Sequence, residues 1–324
     1  MTRVWVAADI GATNARFRLL AAHGFESVTE TRLATREFGR GDGFADWLIR
    51  WVGEHTLGGV VLAIAGPVLG ERSGMTNGEL ELDAAALTRR LGCPVSLHND
   101  FFALAHGLDH FRQLTPTGAA TVDRRSVRAV LGPGSGLGMA IVVPEPRGSA
   151  PRVLPSEGGF APLAAASARE RTVLEYLADA GYLHWETLLC GPGIVRLHQA
   201  LAALRGGAPV SSQRMLSSEA IVTAGLTGED ALCRETLELF CEVLTNCAAA
   251  LALTAHANGG VYLVGSIVRS LVPLLKVPGL RARFEDRGPL TSFMRSVPLL
   301  LVEDDDPGLL GAAALAQQRA RQLD

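Results

Sequence analysis

Gly132-Pro133-Gly134-Ser135-Gly136-Leu137-Gly138 is the stretch that decides the fold. Its glycines recur at alternate positions, and the residues around it, from Val127 to Val143, read as two strands. A dinucleotide-binding turn has another pattern, GxGxxG after a strand and opening a helix. Here Met139 to Val143 reads as a strand. The stretch is therefore predicted to be a β-hairpin whose turn, Gly134-Ser135-Gly136, faces phosphate with the Ser135 hydroxyl as donor. A hairpin of the same kind opens the chain: strand Val4–Ala8, turn Asp9-Ile10-Gly11-Ala12-Thr13-Asn14, strand Ala15–Leu20. Glycine lets backbone N–H groups approach phosphate oxygens, and Thr13 adds a side-chain donor. Asp9 is an oxygen ligand of the type magnesium takes, directly or through water. The same residues also fit a plain tight hairpin with a solvated Asp9. Two units of one kind predict an internally duplicated fold.

Between the hairpins the pattern alternates. Phe44–Glu54 has helical spacing, Gly59–Ala65 suits a buried strand, Leu82–Leu91 is amphipathic, and Pro94–Leu97 is a strand. That alternation predicts an α/β layer architecture. Asn99-Asp100-Phe101 follows at a strand-to-helix junction. Asp100 there reads either as a helix cap or as a catalytic carboxylate at the carboxyl end of a strand, where α/β ligand sites collect. Asn99 offers a donor and an acceptor, which suits adjacent hydroxyls. Helices are predicted over 165–180 and 231–254, and a strand over Val261–Val264 runs into Gly265-Ser266. A C-terminal helix follows Pro307-Gly308, and Pro144–Pro155 reads as a surface loop or hairpin. Glu157, in Ser156-Glu-Gly-Gly-Phe160, and Glu186, five residues before Gly191-Pro-Gly193, read either as hydroxyl acceptors or as solvated loop charge.

Composition excludes several function classes. With 48% hydrophobic and 19% charged residues the chain is globular, and its 324 residues suffice for two domains. A net charge of −3 gives no electrostatic reason for nucleic-acid or acidic-membrane binding. Lys276 is the sole lysine, so no other position can supply a catalytic amine. The five cysteines lack CxxC or metal-type spacing and read as reduced core thiols. Apolar runs are broken by charge, Gly or Pro, and Val4–Ala8 is too short for a signal h-region, so a cytoplasmic protein without membrane spans is expected.

Taken together, DIGATN (9–14), AGP (65–67), MTN (75–77), HNDF (98–101), GPGSGLG (132–138), SEGGF (156–160), CGPG (190–193), FED (284–286) and DPGLLG (306–311) resemble the bacterial ATP-dependent glucokinase family, within the hexokinase–actin–Hsp70-like superfamily. The resemblance runs in order over essentially the whole chain. It implies a two-domain actin-like ATPase/hexokinase fold of duplicated ribonuclease H-like βββαβα units with an interdomain cleft. Residues 1–108 plus 302–324 would form the small domain and 109–301 the large one. It further implies ATP and magnesium as cofactors, a sugar substrate and a homodimer. Asp9 and Gly11, Ala12, Thr13 and Asn14 would meet magnesium and phosphates. Gly134, Ser135 and Gly136 would hold phosphates, and Gly265 would lie near adenosine. Asn99, Asp100, Glu157 and Glu186 would contact glucose, with Asp100 as the base, for which an ordinary carboxylate pKa would suffice.

The chain departs from the family in places. Phe160 stands where the family has a sugar-binding His, and losing that partner costs about 1–3 kcal/mol. The implied consequence is weak glucose activity, or another sugar or cyclitol as acceptor. Ala12 and Ser266 replace glycines, and Ser135 replaces threonine while keeping the hydroxyl. A non-catalytic sugar or nucleotide sensor is the reading of a different class, and the retained Asp100 argues against it.

Overall fold

Strand β1 (Arg3–Ile10) has two buried faces, and its alternation organises the first half of the molecule. The computed structural model describes residues 3–11, 13–22, 26–38, 42–66, 68–74, 80–118, 121–146, 150–178, 181–206 and 215–323. Ala12 and the 75–77 motif lie outside the described residues, as does Pro67 of the 65–67 motif. After β1 come β2 (Asn14–Ala21), β3 (Ser27–Ala34), α1 (Asp42–Val52), β4 (Thr56–Ile64), β5 (Val68–Leu69), β6 (Arg72–Gly74), β7 (Glu81–Asp83), α2 (Ala84–Leu91), β8 (Val95–Asn99) and α3 (Asp100–His106). The chain continues through β9 (Leu114–Pro116), β10 (Arg128–Pro133), β11 (Leu137–Val143), β12 (Arg152–Ser156), α4 (Ala168–Leu177), α5 (Trp185–Leu188), α6 (Gly191–Leu204) and α7 (Ser218–Thr227). It ends with α8 (Ala231–Ala255), β13 (Val261–Leu263), α9 (Ser266–Leu275), α10 (Pro278–Glu285), α11 (Thr291–Ser296), β14 (Leu299–Val302) and α12 (Pro307–Leu323). Two units are present: Met1–Arg112 with Gly148–Val153 and Asp304–Asp324, and Gln113–Arg147 with Leu154–Glu303.

The first unit is built on a sheet of order β3-β2-β1-β4-β8. β1 runs antiparallel to β2 and parallel to β4, which is parallel to β8. Val4, Val6, Ala8 and Ile10 pack on one face with Phe44 and Leu48 of α1 and Leu87 of α2. Trp5 and Ala7 pack on the other face with Ala103 of α3 and Ala312, Leu315 and Ala316 of α12. By that parity Asp9 belongs to the α12 face. Register places Asp9 beside Ala63, and puts Ile10, Ile64 and Asn99 in line across the sheet. The carboxyl ends of β1 and β8 are thus two strand spacings apart, on the order of 10 Å.

The second unit is built on a sheet of order β12-β11-β10-β13-β14-β9. Its first five places repeat the order of the first sheet: an outer strand, a hairpin partner, a central strand, then two parallel strands. Even the backbone after the fourth place repeats. Gly66 lies two residues beyond β4 with φ 142°, and Gly265 two residues beyond β13 with φ 105°. Side chains rarely adopt such φ values, so glycine is required at both. The duplication expected from the two hairpins is present.

Some local expectations are revised. β3 was not legible because most of its residues are exposed and polar, without the alternation that marks a half-buried strand. Residues 152–155 of the expected loop belong to β12; Pro155 is accommodated because β12 is a sheet edge, where a missing N–H is harmless. Helix α2 starts at Ala84 rather than Leu82, since Asp83 caps it by accepting from the Ala86 N–H at 2.8 Å. Helix α8 is long and apolar enough to cross a membrane, despite the broken apolar runs of the sequence. Most of it is buried in the core of its unit, against Leu131, Leu197 and Leu271 among others. All five cysteines are free and buried.

Candidate functional site

In the first unit, Asn99 and Asp100 divide the labour at the β8–α3 junction. Asn99, not Asp100, is the cap of α3: its Oδ1 accepts from the N–H groups of Phe101 and Phe102 at 3.0 and 3.1 Å. Its Nδ2 donates to the Gly66 carbonyl at 3.3 Å, tying the junction to the end of β4. The capping reading of Asp100 is therefore corrected. Asp100 is the first residue of the helix, and its Oδ1 accepts from the Phe101 N–H at 2.8 Å. Burial pushes the Asp100 carboxyl up to about 7, and the negative charge of Asp9 adds to that rise. Helix-terminal N–H groups and the Asn99 side chain oppose it, and burial wins. An ordinary carboxylate pKa would suffice for the base, and Asp100 lies well above it.

Asp9 closes β1 against the start of α12. A β-carbon on Gly308 would stand 2.5 Å from Asp9 Oδ2, so only glycine permits this approach. Arg16 of β2, paired with Asp9 in the sheet, spans two carboxylates: Nη1 lies 3.4 Å from Asp9 and Nε 2.7 Å from Asp306. Burial raises the Asp9 pKa; Arg16 pulls it down and Asp306 pushes it up again. The adjoining turn is closed by the Gly11 N–H donating to Asn14 O at 2.9 Å. It is fastened to the 3₁₀ turn after β3, where Thr35 Oγ1 donates to Gly11 O at 2.7 Å. Thr13 and Asn14 are exposed at its tip.

In the second unit, the β10–β11 turn is held by the Gly134 N–H donating to Gly136 O at 2.7 Å, with Gly134 and Ser135 exposed. Two helix starts adjoin it. The Gly191 N–H at the head of α6 donates to Gly134 O at 2.9 Å. Gly265, which precedes α9, lies so close to the Pro133 carbonyl that an added β-carbon would be 3.1 Å from it. A glycine turn beside helix N-termini is a ready anion cradle, because unpaired N–H groups and the helix dipole both favour negative charge.

Glu186 turns toward the same hairpin. Its Oε2 accepts from the Leu137 N–H at 2.7 Å, and a β-carbon on Gly136 would meet that oxygen at 2.5 Å. Glu157 is exposed and starts the 3₁₀ turn Gly158–Phe160, where the Phe160 N–H donates back to its carbonyl at 3.0 Å. Phe160 is 53% exposed and offers only an apolar ring.

The donor sets suit the groups that the fold implies. Among the described residues no cluster of three or more His, Cys, Asp or Glu could hold a metal. Magnesium, however, keeps several waters and needs only one or two carboxylates. Asp9 and Asp100, both raised by burial and with the charge of Asp9 adding to the rise at Asp100, are carboxylates that a divalent cation would stabilise. The open tip at Gly134 and Ser135, where a β-carbon on Gly134 would meet nothing within 4 Å, leaves room for phosphate.

The Arg16–Asp306 pair and the Gly308 contact were missed from sequence, although DPGLLG had been noted as a motif. Nothing local couples residues from opposite ends of the chain.

The glucokinase family model matches residues 6–319. A glucokinase of Chromobacterium violaceum is 36% identical over 98% of this chain and 90% of its own length. One of Saccharophagus degradans is 34% identical over 97% of this chain and 98% of its own. The crystal structure of a glucokinase from an Antarctic psychrotroph superposes with a TM-score of 0.84 at 30% identity, covering 96% of this chain and 98% of that one. The fold is that of the actin-like sugar kinases, and the chain belongs to the glucokinase family.

Proposed function

We propose that this protein transfers the γ-phosphoryl group of ATP to glucose, forming glucose 6-phosphate. The observation that carries the reading, within a sugar-kinase family, is Asp100: a half-buried carboxylate at the carboxyl end of β8, pushed up to about 7 with the charge of Asp9 adding to the rise. A base poised near neutral pH takes a proton efficiently once the attacking hydroxyl becomes acidic. In this proposal Asp100 accepts the proton of the sugar 6-hydroxyl, and Asn99 holds Asp100 in place by capping α3. Glu157 and Glu186 accept hydrogen bonds from other hydroxyls of the sugar. The turns at 9–14 and 134–136, with Gly265, hold the nucleotide. Magnesium bound through Asp9 would neutralise phosphate charge. Because phosphoryl transfer passes through a loose transition state, positioning and electrostatics supply most of the acceleration. The proposal includes a homodimer in the cytoplasm, on the strength of family membership alone.

A second reading is favoured by Phe160: an apolar, half-exposed ring beside Glu157 fits an acceptor other than glucose, a different hexose or a cyclitol. An acceptor panel in an ATP-dependent assay, run on wild type and Asp100→Ala, tests both. Sugar-dependent ADP formation that vanishes in Asp100→Ala, with nucleotide binding retained, supports the mechanism. Unchanged turnover in that variant removes Asp100 from it. Preference for another acceptor over glucose selects the second reading.

A further inference from the structure

Two segments of the second unit that carry the proposed sugar-reading carboxylates run side by side. Pro162 and His184 form an antiparallel bridge. The Leu163 N–H donates to Leu183 O at 3.1 Å, and the Trp185 N–H to Ala161 O at 3.2 Å. This pairing stacks three rings. Phe160 and His184 have centroids 4.7 Å apart at 28°, and Tyr182 lies 5.9 Å from His184, also at 28°. The Tyr182 hydroxyl donates to the Phe160 carbonyl at 3.4 Å, closing the group.

The exposure of this stack is unlike that of a packing cluster. Phe160 and Tyr182 are 53% and 66% exposed, among the most exposed large apolar side chains described. His184 is half-buried, with Nδ1 buried toward the first turn of α5, where it forms a capping box with Thr187. With Nδ1 turned into the protein, Nε2 is the ring nitrogen that a ligand hydroxyl can reach. His184 also stands at the head of α5, two residues before Glu186, and Phe160 ends the turn that Glu157 begins. A pyranose has C–H groups on its faces and hydroxyls on its rim. Aromatic faces pack against the first, while carboxylates and an imidazole bond the second.

We infer that His184, stacked on Phe160, is a specificity-determining residue for the acceptor. Its imidazole makes a hydrogen bond to a rim hydroxyl that Phe160 cannot make, and the rings of Phe160 and Tyr182 receive the C–H face of a neutral pyranose. The inference rests on the sugar-kinase reading of this site. It makes Phe160 part of a different solution for the same substrate class rather than a defect.

The test uses the full chain as wild type, His184→Ala, His184→Asn and His184→Ala with Phe160→His. Glucose and its deoxy and epimeric analogues are assayed with ATP and magnesium, and glucose binding is measured separately by calorimetry. His184→Ala is expected to raise the glucose KM and Kd on the order of 5- to 150-fold, with kcat falling less and the ATP KM unmoved. Phe160→His in that background is expected to recover most of the loss, which a merely structural role for His184 would not allow. His184→Asn keeps a helix-capping residue at the head of α5, so it carries the comparison if the alanine variant does not fold. Wild-type turnover with glucose affinity unchanged in the His184 variants overturns the inference and leaves the kinase reading standing. Absence of both turnover and binding across the panel in wild type overturns the kinase reading, and the inference with it.

Discussion

Gly308 packs directly on Asp9: a β-carbon at Gly308 would lie 2.5 Å from Oδ2 and 2.7 Å from the carboxylate carbon. The contact joins the last helix of the chain to the end of its first strand. On the same face of α12, Gly311 meets the Ala103 carbonyl and the Leu104 backbone of α3, the helix that begins with Asp100. Through these two glycines α12 sets where both carboxylates stand.

Gly308→Ala is accordingly expected to displace the Asp9 carboxylate. Overpacking of this kind costs about 1–3 kcal/mol. Urea unfolding should report that loss, and kcat should fall by about tenfold or more if Asp9 meets the phosphates. Wild-type kcat in a stable Gly308→Ala protein would show that the position of Asp9 does not matter to turnover.

Arg16 lies between Asp9 and Asp306, so its removal leaves two carboxylates to repel each other. All three side chains are partly exposed, and water screens them. Arg16→Ala is expected to lower stability by about 1 kcal/mol, with partial recovery when Asp306→Asn is added. A double-mutant cycle by urea denaturation measures the coupling. Strict additivity of the two changes would mean the bridge contributes nothing.

Asp100 predicts a pH dependence of definite sign. Its native pKa of about 7 exceeds the ordinary carboxylate value of 3.8. Between those values the folded protein binds more protons than the unfolded chain. The contribution of this group to stability is thus full below about pH 4, declines up to about pH 7, and is flat above. Activity runs the opposite way, because the ionised form is the base. The kcat/KM for sugar should rise with pH through an apparent pKa near 7, a value belonging to the coupled Asp9–Asp100 pair. In Asp9→Asn the titration of Asp100, followed by carbon NMR of labelled aspartate, should move down. Failure to move would remove Asp9 as a cause.

Gly136 separates stability from function. The atom its added β-carbon would strike is the free end of the Glu186 side chain, which can swing away. Gly136→Ala is expected to change the melting temperature little, while the 2.7 Å bond from Leu137 N–H to Glu186 is lost. Losing that bond is worth about 0.5–1.5 kcal/mol, read as a several-fold rise in the glucose KM. Equal losses in stability and affinity would place the strain in the backbone instead.

Much of this architecture was open to inspection in one dimension. Strand periodicity and alternate glycines marked the hairpins at 9–14 and 132–138, and the run into Asn99-Asp100 marked a strand end. β3 escaped because an exposed polar strand has no apolar alternation, and all of β12 but its last residue was hidden by Pro155, a proline that only an edge strand accepts. Capping, one of the two readings open for Asp100, belongs to its neighbour Asn99. Asn99 and Asp100 are equally good capping types, and only backbone dihedrals distinguish which of them lies outside the helix.

The amino-acid sequence by itself determined the elements, their order and the duplicated hairpins, because hydrophobic period and glycine chemistry act over a few residues. It also sufficed to recognise the family. Tertiary structure alone decided the environment of each charged group: Asp9 between Arg16 and Gly308, Asp100 raised to about 7, Glu186 tied to Leu137, and His184 stacked on Phe160. Those properties depend on burial and on neighbours far away in the chain, and both arise only when the sheets and helices pack.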